Sequence, residues 1–215
     1  MTANLGILLS GRGSNFEAIA ANIASGVLPA NIAVVISNRP EARGLDRASQ
    51  LGLPAICLPS RAVPRQDYDR QLAHELKRWN VDLVCLAGFM RLLTAEFIRS
   101  FPEAIVNIHP SLLPAFPGLN AQAQALAHGV KITGCTVHFV DEELDGGPII
   151  AQASVPVLAE DTEESLSARI LTQEHLLYSQ AIGLVLGGNY RVQGRRVISW
   201  PCEADRVRRD APHGC

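Results

Sequence analysis

The feature that most constrains this chain is the regular alternation, through its first half, of short apolar runs with longer amphipathic ones. Leu5 to Ser10, Ile32 to Ser37, Ala55 to Leu58, Leu83 to Ala87 and Ala104 to Ile108 read as strands; Asn15 to Ser25, Glu41 to Leu51, Arg65 to Trp79 and Thr94 to Arg99 read as helices between them. Strands that are apolar throughout suit a sheet buried on both faces. The pattern therefore predicts a mostly parallel α/β sheet, Rossmann-like in its N-terminal half, with helices on both faces. Farther on, Ile132 to Val140 and Ile149 to Val157 are longer and flank the acidic, Gly-containing turn Asp141 to Pro148. That spacing predicts an antiparallel pair, and so a mixed sheet. A long helix from about Thr162 through Leu186 follows, then Tyr190 to Val192 and Arg196 to Ser199 around Gln193-Gly194, which read as a terminal hairpin.

With 215 residues, 47% of them hydrophobic, the chain reads as a single domain, 1–215, made of two halves, 1–103 and 104–200, and a tail, 201–215. A net charge of −2 builds no basic field of the kind that non-specific nucleic-acid binding needs, and Arg206, Arg208 and Arg209 read as a solvated tail cluster. No run reaches the length of a membrane span, and Leu5 to Leu9 follow the N-terminus without a basic leader. Cys57, Cys85, Cys135, Cys202 and Cys215 are odd in number and form no CxxC pair. The expectation is a reduced, cytoplasmic protein without structural zinc. Trp79 and Trp200 have no motif around them and read as packing residues.

Chemistry concentrates in three segments. Ser10-Gly11-Arg12-Gly13-Ser14-Asn15 lies between the first strand and the first helix, where α/β proteins hold anions on free N–H groups and the helix dipole. Ser14 and Asn15 add side-chain donors and are suited to capping the helix. Gly11 and Gly13 match the start of a dinucleotide fingerprint, but Phe16 stands at the third glycine position and there is no Walker lysine, so a phosphomonoester fits better than a dinucleotide. In the second segment, Asn107-Ile-His109-Pro-Ser-Leu-Leu-Pro114, a strand gives way to a loop, and two-residue alternation puts Asn107 and His109 on one face with Ile108 turned into the packing. The third, Asp145-Gly-Gly-Pro148, offers a carboxylate. An amide donor, an imidazole and a carboxylate together equip a site to stabilise an oxyanion at a carbonyl without a covalent enzyme intermediate. His109 and His138 form no zinc-site spacing with any Cys or Asp, so no metal is expected. His138 and Thr136 alternate on one strand face and read as core-lining residues.

These segments, with Leu86 to Arg91, Gly134 to Val140 and Thr172-Gln173-Glu174-His175, are where the chain resembles the phosphoribosylglycinamide formyltransferases, the folate-dependent transformylases of purine synthesis, over nearly its whole length. The SLLP and DGGP signatures are common to several formyl-folate enzymes, and the Gly11 to Asn15 loop narrows the choice. The resemblance implies that the amine of glycinamide ribonucleotide attacks the formyl carbon of 10-formyltetrahydrofolate, with residues 1–103 serving nucleotide binding and 104–200 catalysis and folate binding. It implies Asn107 and His109 at the oxyanion and Asp145 supporting His109 and organising a water. It further implies Gly13, Ser14 and Asn15 on the ribonucleotide phosphate and Glu174 on its ribose. The folate is expected along Arg91, Leu92, Leu93 and Val140 to Asp145, including Asp141. The expected partners are these two small molecules, with no nucleic acid and no membrane; a homodimer is compatible with the sequence.

The chain departs from relatives at Ala115, where many carry Lys or Ser, at Arg12, where some have Asn, and at Asn120, where some have His. Two related activities are disfavoured on sequence: a methionyl-tRNA formyltransferase would add a C-terminal nucleic-acid-binding domain, and a formyltetrahydrofolate hydrolase an N-terminal regulatory one. A sensor that had lost turnover would have no need to keep Asn107, His109 and Asp145 together.

Overall fold

A computed structural model describes residues 2–200. The Arg206 to Arg209 cluster, Cys202 and Cys215 lie outside the described residues. Strands β1 (Ala3–Leu9), β2 (Ala30–Ser37), β3 (Ala55–Cys57), β4 (Leu83–Leu86) and β5 (Ile105–His109) alternate with helices α1 (Ser14–Ala24), α2 (Arg43–Gln50), α3 (Arg65–Arg78) and α4 (Ala95–Arg99). They are followed by α5 (Ala121–Ala127), β6 (Ile132–Phe139), β7 (Ile149–Pro156), α6 (Glu163–Gly187), β8 (Tyr190–Gln193) and β9 (Arg196–Ser199). The described strands form one sheet in the order β3-β2-β1-β4-β5-β6-β7-β9-β8. From β3 through β5 the pairing is parallel, while β5–β6, β6–β7 and β8–β9 are antiparallel. The expected mixed sheet, the β6–β7 pair across the acidic turn and the terminal hairpin are all present.

Alternation along β1 explains the two packed layers. Leu5, Ile7 and Leu9 face a core shared with α1 and α6, and Leu8 faces the core under α3 and α4. Both sheet faces are thus covered, which is why the first strands carry no polar stripe. Helix α6 is held at its start by a reciprocal cap, Thr162 accepting from the Ser165 N–H and Ser165 accepting from the Thr162 N–H.

Strand order reverses between β1 and β4, so the loops that leave their C-terminal ends part and open a crevice. Backbone and side-chain bonds fix its floor. The Ser10 N–H donates to the Gly88 carbonyl at 3.0 Å, and the Ser10 hydroxyl accepts from the Met90 N–H at 2.8 Å and donates to Asn38 at 2.6 Å.

Two sequence readings need correction. Helix α5 was not anticipated: in Ala-Gln-Ala-Gln-Ala-Leu-Ala the small residues alternate by two, yet Ala121 and Ala125 are the buried positions, four apart. Trp79 and Trp200 are not packing residues; they are 36% and 43% exposed, Trp79 at the C-terminal cap of α3 and Trp200 just past β9. Among the described residues no helix is long and apolar enough to cross a membrane.

Candidate active site

Asn107 and His109 lie on β5 where the sheet turns antiparallel, and the register sets Asn107 opposite His138 and His109 opposite Thr136 on β6. Ile108 between them is buried in the main core, as alternation requires. Cross-strand neighbours touch, so the Asn107 amide nitrogen lies 3.2 Å from His138 Nε2. His138 Nδ1 is 2.8 Å from the Phe139 carbonyl, which can only accept; that nitrogen therefore carries the proton, and Nε2 accepts from Asn107. Burial pushes the His138 imidazole below its ordinary value, against the Phe139 carbonyl and Asp145, which favour its charged form. His138, read from sequence as core lining, belongs to the site; the signal was its pairing with Asn107, visible only once the register is known.

Asp145 reaches the same point from the β6–β7 turn. Its Oδ2 lies 3.4 Å from His109 Nδ1 and its Oδ1 3.7 Å from His138 Nε2. The turn's sequence explains the placement. Asp145 adopts a left-handed conformation with φ 51°, which Asp tolerates better than most residues, and Gly147 passes so close to β6 that a Cβ there would sit on the Phe139 carbonyl oxygen. Asp145 Oδ2 also accepts from the Gly118 N–H at 2.7 Å, so the loop after β5 and the β6–β7 turn clasp each other through this carboxylate.

That loop is itself anchored. His109 Nε2 donates to the Phe116 carbonyl at 2.8 Å, and Ser111 donates to the Ala115 carbonyl. Thr136 donates to the Ser111 carbonyl at 2.7 Å and accepts from the Leu113 N–H and from Gln152. Thr136 is thus a brace for the loop rather than simple core lining. With Nε2 donating to a carbonyl, His109 turns Nδ1 toward the Asp145 carboxylate, so both ring nitrogens face acceptors.

At the first loop, Gly13 occupies the N-cap position of α1 with φ 82°, and no side chain caps the helix. The expected capping role of Ser14 and Asn15 is therefore corrected: Asn15 instead donates through Nδ2 to Glu174 Oε2 at 2.7 Å, across 159 residues. Both are buried, and Asn15 Oδ1 has no hydrogen-bond partner. Burial raises the Glu174 carboxyl above its ordinary value, partly offset by the bond from Asn15. Ser14, partly exposed beside them, lines the mouth of a cavity of about 530 Å³.

The residues expected along the folate lie in the segments that follow β4 and β6. Arg91 stacks on Tyr68, with its guanidinium carbon 4.6 Å from the ring centroid, and donates to the Ser60 and Val63 carbonyls, both at 3.3 Å. The Leu92 and Leu93 carbonyls accept from Arg65, a residue that sequence reasoning did not single out. Leu92 is exposed and Leu93 buried. The Val140 N–H donates to the Ile105 carbonyl, and Asp141 accepts from the Glu143 N–H at 3.0 Å. Among the described residues no three His, Cys, Asp or Glu side chains are grouped to hold a metal ion.

Comparison with known proteins identifies the family. The formyl transferase family model matches residues 3–182. The chain is 43% identical to the phosphoribosylglycinamide formyltransferase of Escherichia coli strain K12 over 88% of this chain and 90% of that protein. It is 47% identical over 85% of its length to the trifunctional purine biosynthetic protein adenosine-3 of Drosophila melanogaster, of which it spans 14%. The crystal structure of glycinamide ribonucleotide transformylase 1 from Symbiobacterium toebii superposes with a TM-score of 0.91 at 50% identity, covering 93% of this chain and 95% of that one. A match across most of the length in both sequence and shape establishes that the chain belongs to the formyl transferase family, alongside the phosphoribosylglycinamide formyltransferases.

Proposed function

We propose that this chain transfers the formyl group of 10-formyltetrahydrofolate to the amine of glycinamide ribonucleotide, in the cytoplasm, as a step of purine synthesis. The observation that carries the proposal is that Asn107, His109 and Asp145 are gathered around His138 at the same sheet edge as a phosphate-type loop whose Asn15 is tied to Glu174. The ribonucleotide phosphate lies on the N–H groups of Gly13, Ser14 and Asn15 at the start of α1, where the helix dipole favours its charge. The ribose faces Glu174, and the free Asn15 Oδ1 accepts from one of the ribonucleotide's donors.

The formyl donor enters from the other side, along Arg91 to Leu93 and Val140 to Asp145. Its formyl carbon meets the ribonucleotide amine at Asn107 and His109. As the amine forms its bond to that carbon, negative charge develops on the formyl oxygen. The Asn107 amide has one N–H on His138 and a second free for the oxyanion; His109, its Nε2 already on the Phe116 carbonyl, adds a donor by turning its Nδ1–H from Asp145, 3.4 Å away, to the oxyanion. The amine gives up a proton and the departing folate nitrogen gains one, a relay for which Asp145, beside both imidazoles, orders a water. Nothing in the sequence of steps bonds the formyl carbon to the enzyme, and side-chain donors meet the charge, so the reading assigns no role to a metal. Catalysis is then mainly the holding of two substrates at one point.

The test is a spectroscopic assay of tetrahydrofolate release from 10-formyltetrahydrofolate, with and without glycinamide ribonucleotide. Release that requires the ribonucleotide and yields its formyl derivative supports the proposal. Release without it, matched by free formate, would make the protein a hydrolase.

A further inference from the structure

The cavity at the mouth of the first loop contains cationic side chains that the reaction described above does not use. Two close backbone approaches build it. Gly13 and Gly44 pack face to face, a Cβ on Gly13 falling 2.9 Å from the Gly44 Cα, and the Gly44 N–H donates to the Gly11 carbonyl at 3.1 Å. The first turn of α2 is thereby fastened to the loop that precedes α1. Arg43, the residue before Gly44, is brought to the same space of about 530 Å³ that Arg12 and Ser14 line.

The charges lining that space are unevenly matched. Arg47 is occupied by Glu17 at 3.3 Å, and Asp46 is exposed on the rim. Arg12 and Arg43 are exposed and take part in no ion pair among the described residues. Two unpaired guanidinium groups lining one cavity repel, and the arrangement becomes favourable when an anion enters it. Ser14, in the first turn of α1, lines the same cavity, and helix N-termini favour anions.

We infer that Arg12 and Arg43 form a two-sided cationic clamp on a phosphomonoester, with Arg43 reaching from α2 across the anion that the first loop holds. The inference rests on the proposed ribonucleotide substrate for the identity of the ligand and adds to it a preference for the phosphate dianion. The clamp acts on binding and not on formyl transfer, because Asn107, His109 and Asp145 are not among the residues that line its cavity. It makes ribonucleotide affinity fall with salt more steeply than the N–H groups alone would, since the two guanidinium groups are open to counterions.

The experiment compares wild type, Arg12→Ala, Arg43→Ala and the distant control Arg78→Ala in two measurements: calorimetric titration with ribose 5-phosphate at two ionic strengths, and KM for each substrate in the transfer assay. The expected result is a loss of ribose 5-phosphate affinity of roughly 3–10-fold in each clamp variant, a shallower salt dependence, and a matching rise in KM for the ribonucleotide but not for the folate. Arg78→Ala, a surface charge on α3, leaves both measurements where they were. Equal affinity and equal salt dependence in wild type and Arg43→Ala would overturn the clamp while leaving the transformylase reading intact. Arg43-dependent binding of ribose 5-phosphate without ribonucleotide-dependent turnover would uphold the clamp and sink the substrate assignment. Failure of the wild-type protein to bind ribose 5-phosphate would overturn the clamp as well.

Discussion

The Asn107 amide is oriented by His138, whose Nε2 accepts from it at 3.2 Å while Nδ1 is committed to the Phe139 carbonyl. An imidazole fixed as this tautomer leaves Asn107 no freedom to turn its oxygen toward His138. Replacing His138 by Ala should lower kcat about 10-fold with little change in either KM, because the donor remains but is no longer aimed. Gln at this position should recover part of the loss, its amide oxygen accepting in place of Nε2. Steady-state kinetics on the two variants decides it; a change confined to KM would remove His138 from the alignment of Asn107.

His138 also gives the protein an acid limit. Burial holds its folded value below 6.5, so the unfolded chain takes up that proton first as pH falls. Its contribution to stability is therefore complete above about pH 6.5 and is lost as pH falls through the folded value. The same protonation would set an N–H of His138 against the Asn107 amide. Denaturation midpoints and kcat should decline together on acidification in wild type, and the stability decline should be shallower in the Ala variant.

Asp145→Asn and His109→Ala should each reduce the chemical step by at least ~10²-fold, the scale for a group that stabilises charge or moves a proton. Asn at 145 keeps the bond from the Gly118 N–H, so the loop stays clasped and the loss reports charge alone. Single-turnover measurement separates chemistry from binding; near-normal rates would take the altered residue out of the mechanism.

At the nucleotide end, Ser14→Ala should weaken ribonucleotide binding and leave the folate KM unchanged. Glu174→Gln should do the same to the ribonucleotide while raising stability at neutral pH by about 1 kcal/mol, because an uncharged amide escapes the burial that opposes ionisation of Glu174. The sign follows from the raised carboxyl: its contribution is present below its unfolded value near 4.5 and is lost as pH rises through the folded one. Urea midpoints at pH 5 and pH 8 check this. A variant less stable than wild type at pH 8 would mean that the bond from Asn15 requires a carboxylate.

Tyr178 is buried and its hydroxyl lies 3.0 Å from the Leu86 and Val106 carbonyls at once, bridging the ends of β4 and β5 from α6. Phe at this position should cost about 1–2 kcal/mol, the penalty for leaving a buried carbonyl without its donor. The loss should appear as a lower urea midpoint with an unchanged slope.

Periodicity carried most of the fold into view, since strands buried on both faces and helices with one apolar stripe leave different traces. It failed at α5, where alanines bury without an apolar stripe, and at Trp79 and Trp200, read as packing residues for want of a motif around them although they lie at element ends. In the site, the Asn107, His109 and Asp145 segments were legible because a strand end and a Gly-Gly turn announce themselves locally. The parts that were not legible depend on register or on distant contact: His138 opposite Asn107, Arg65 on the Leu92 and Leu93 carbonyls, Arg43 carried to the first loop by the Gly13 and Gly44 contact.

Helix α6 has a consequence for how the protein comes into being. Asn15 waits for Glu174, and the Leu86 and Val106 carbonyls wait for Tyr178, one helical turn farther on. A chain that leaves the ribosome N-terminus first has its early strands and first loop synthesised long before either partner emerges. Until the segment that holds Glu174 and Tyr178 has been made, the first loop lacks the wall that Glu174 supplies and the ends of the carbonyl bridge stay open.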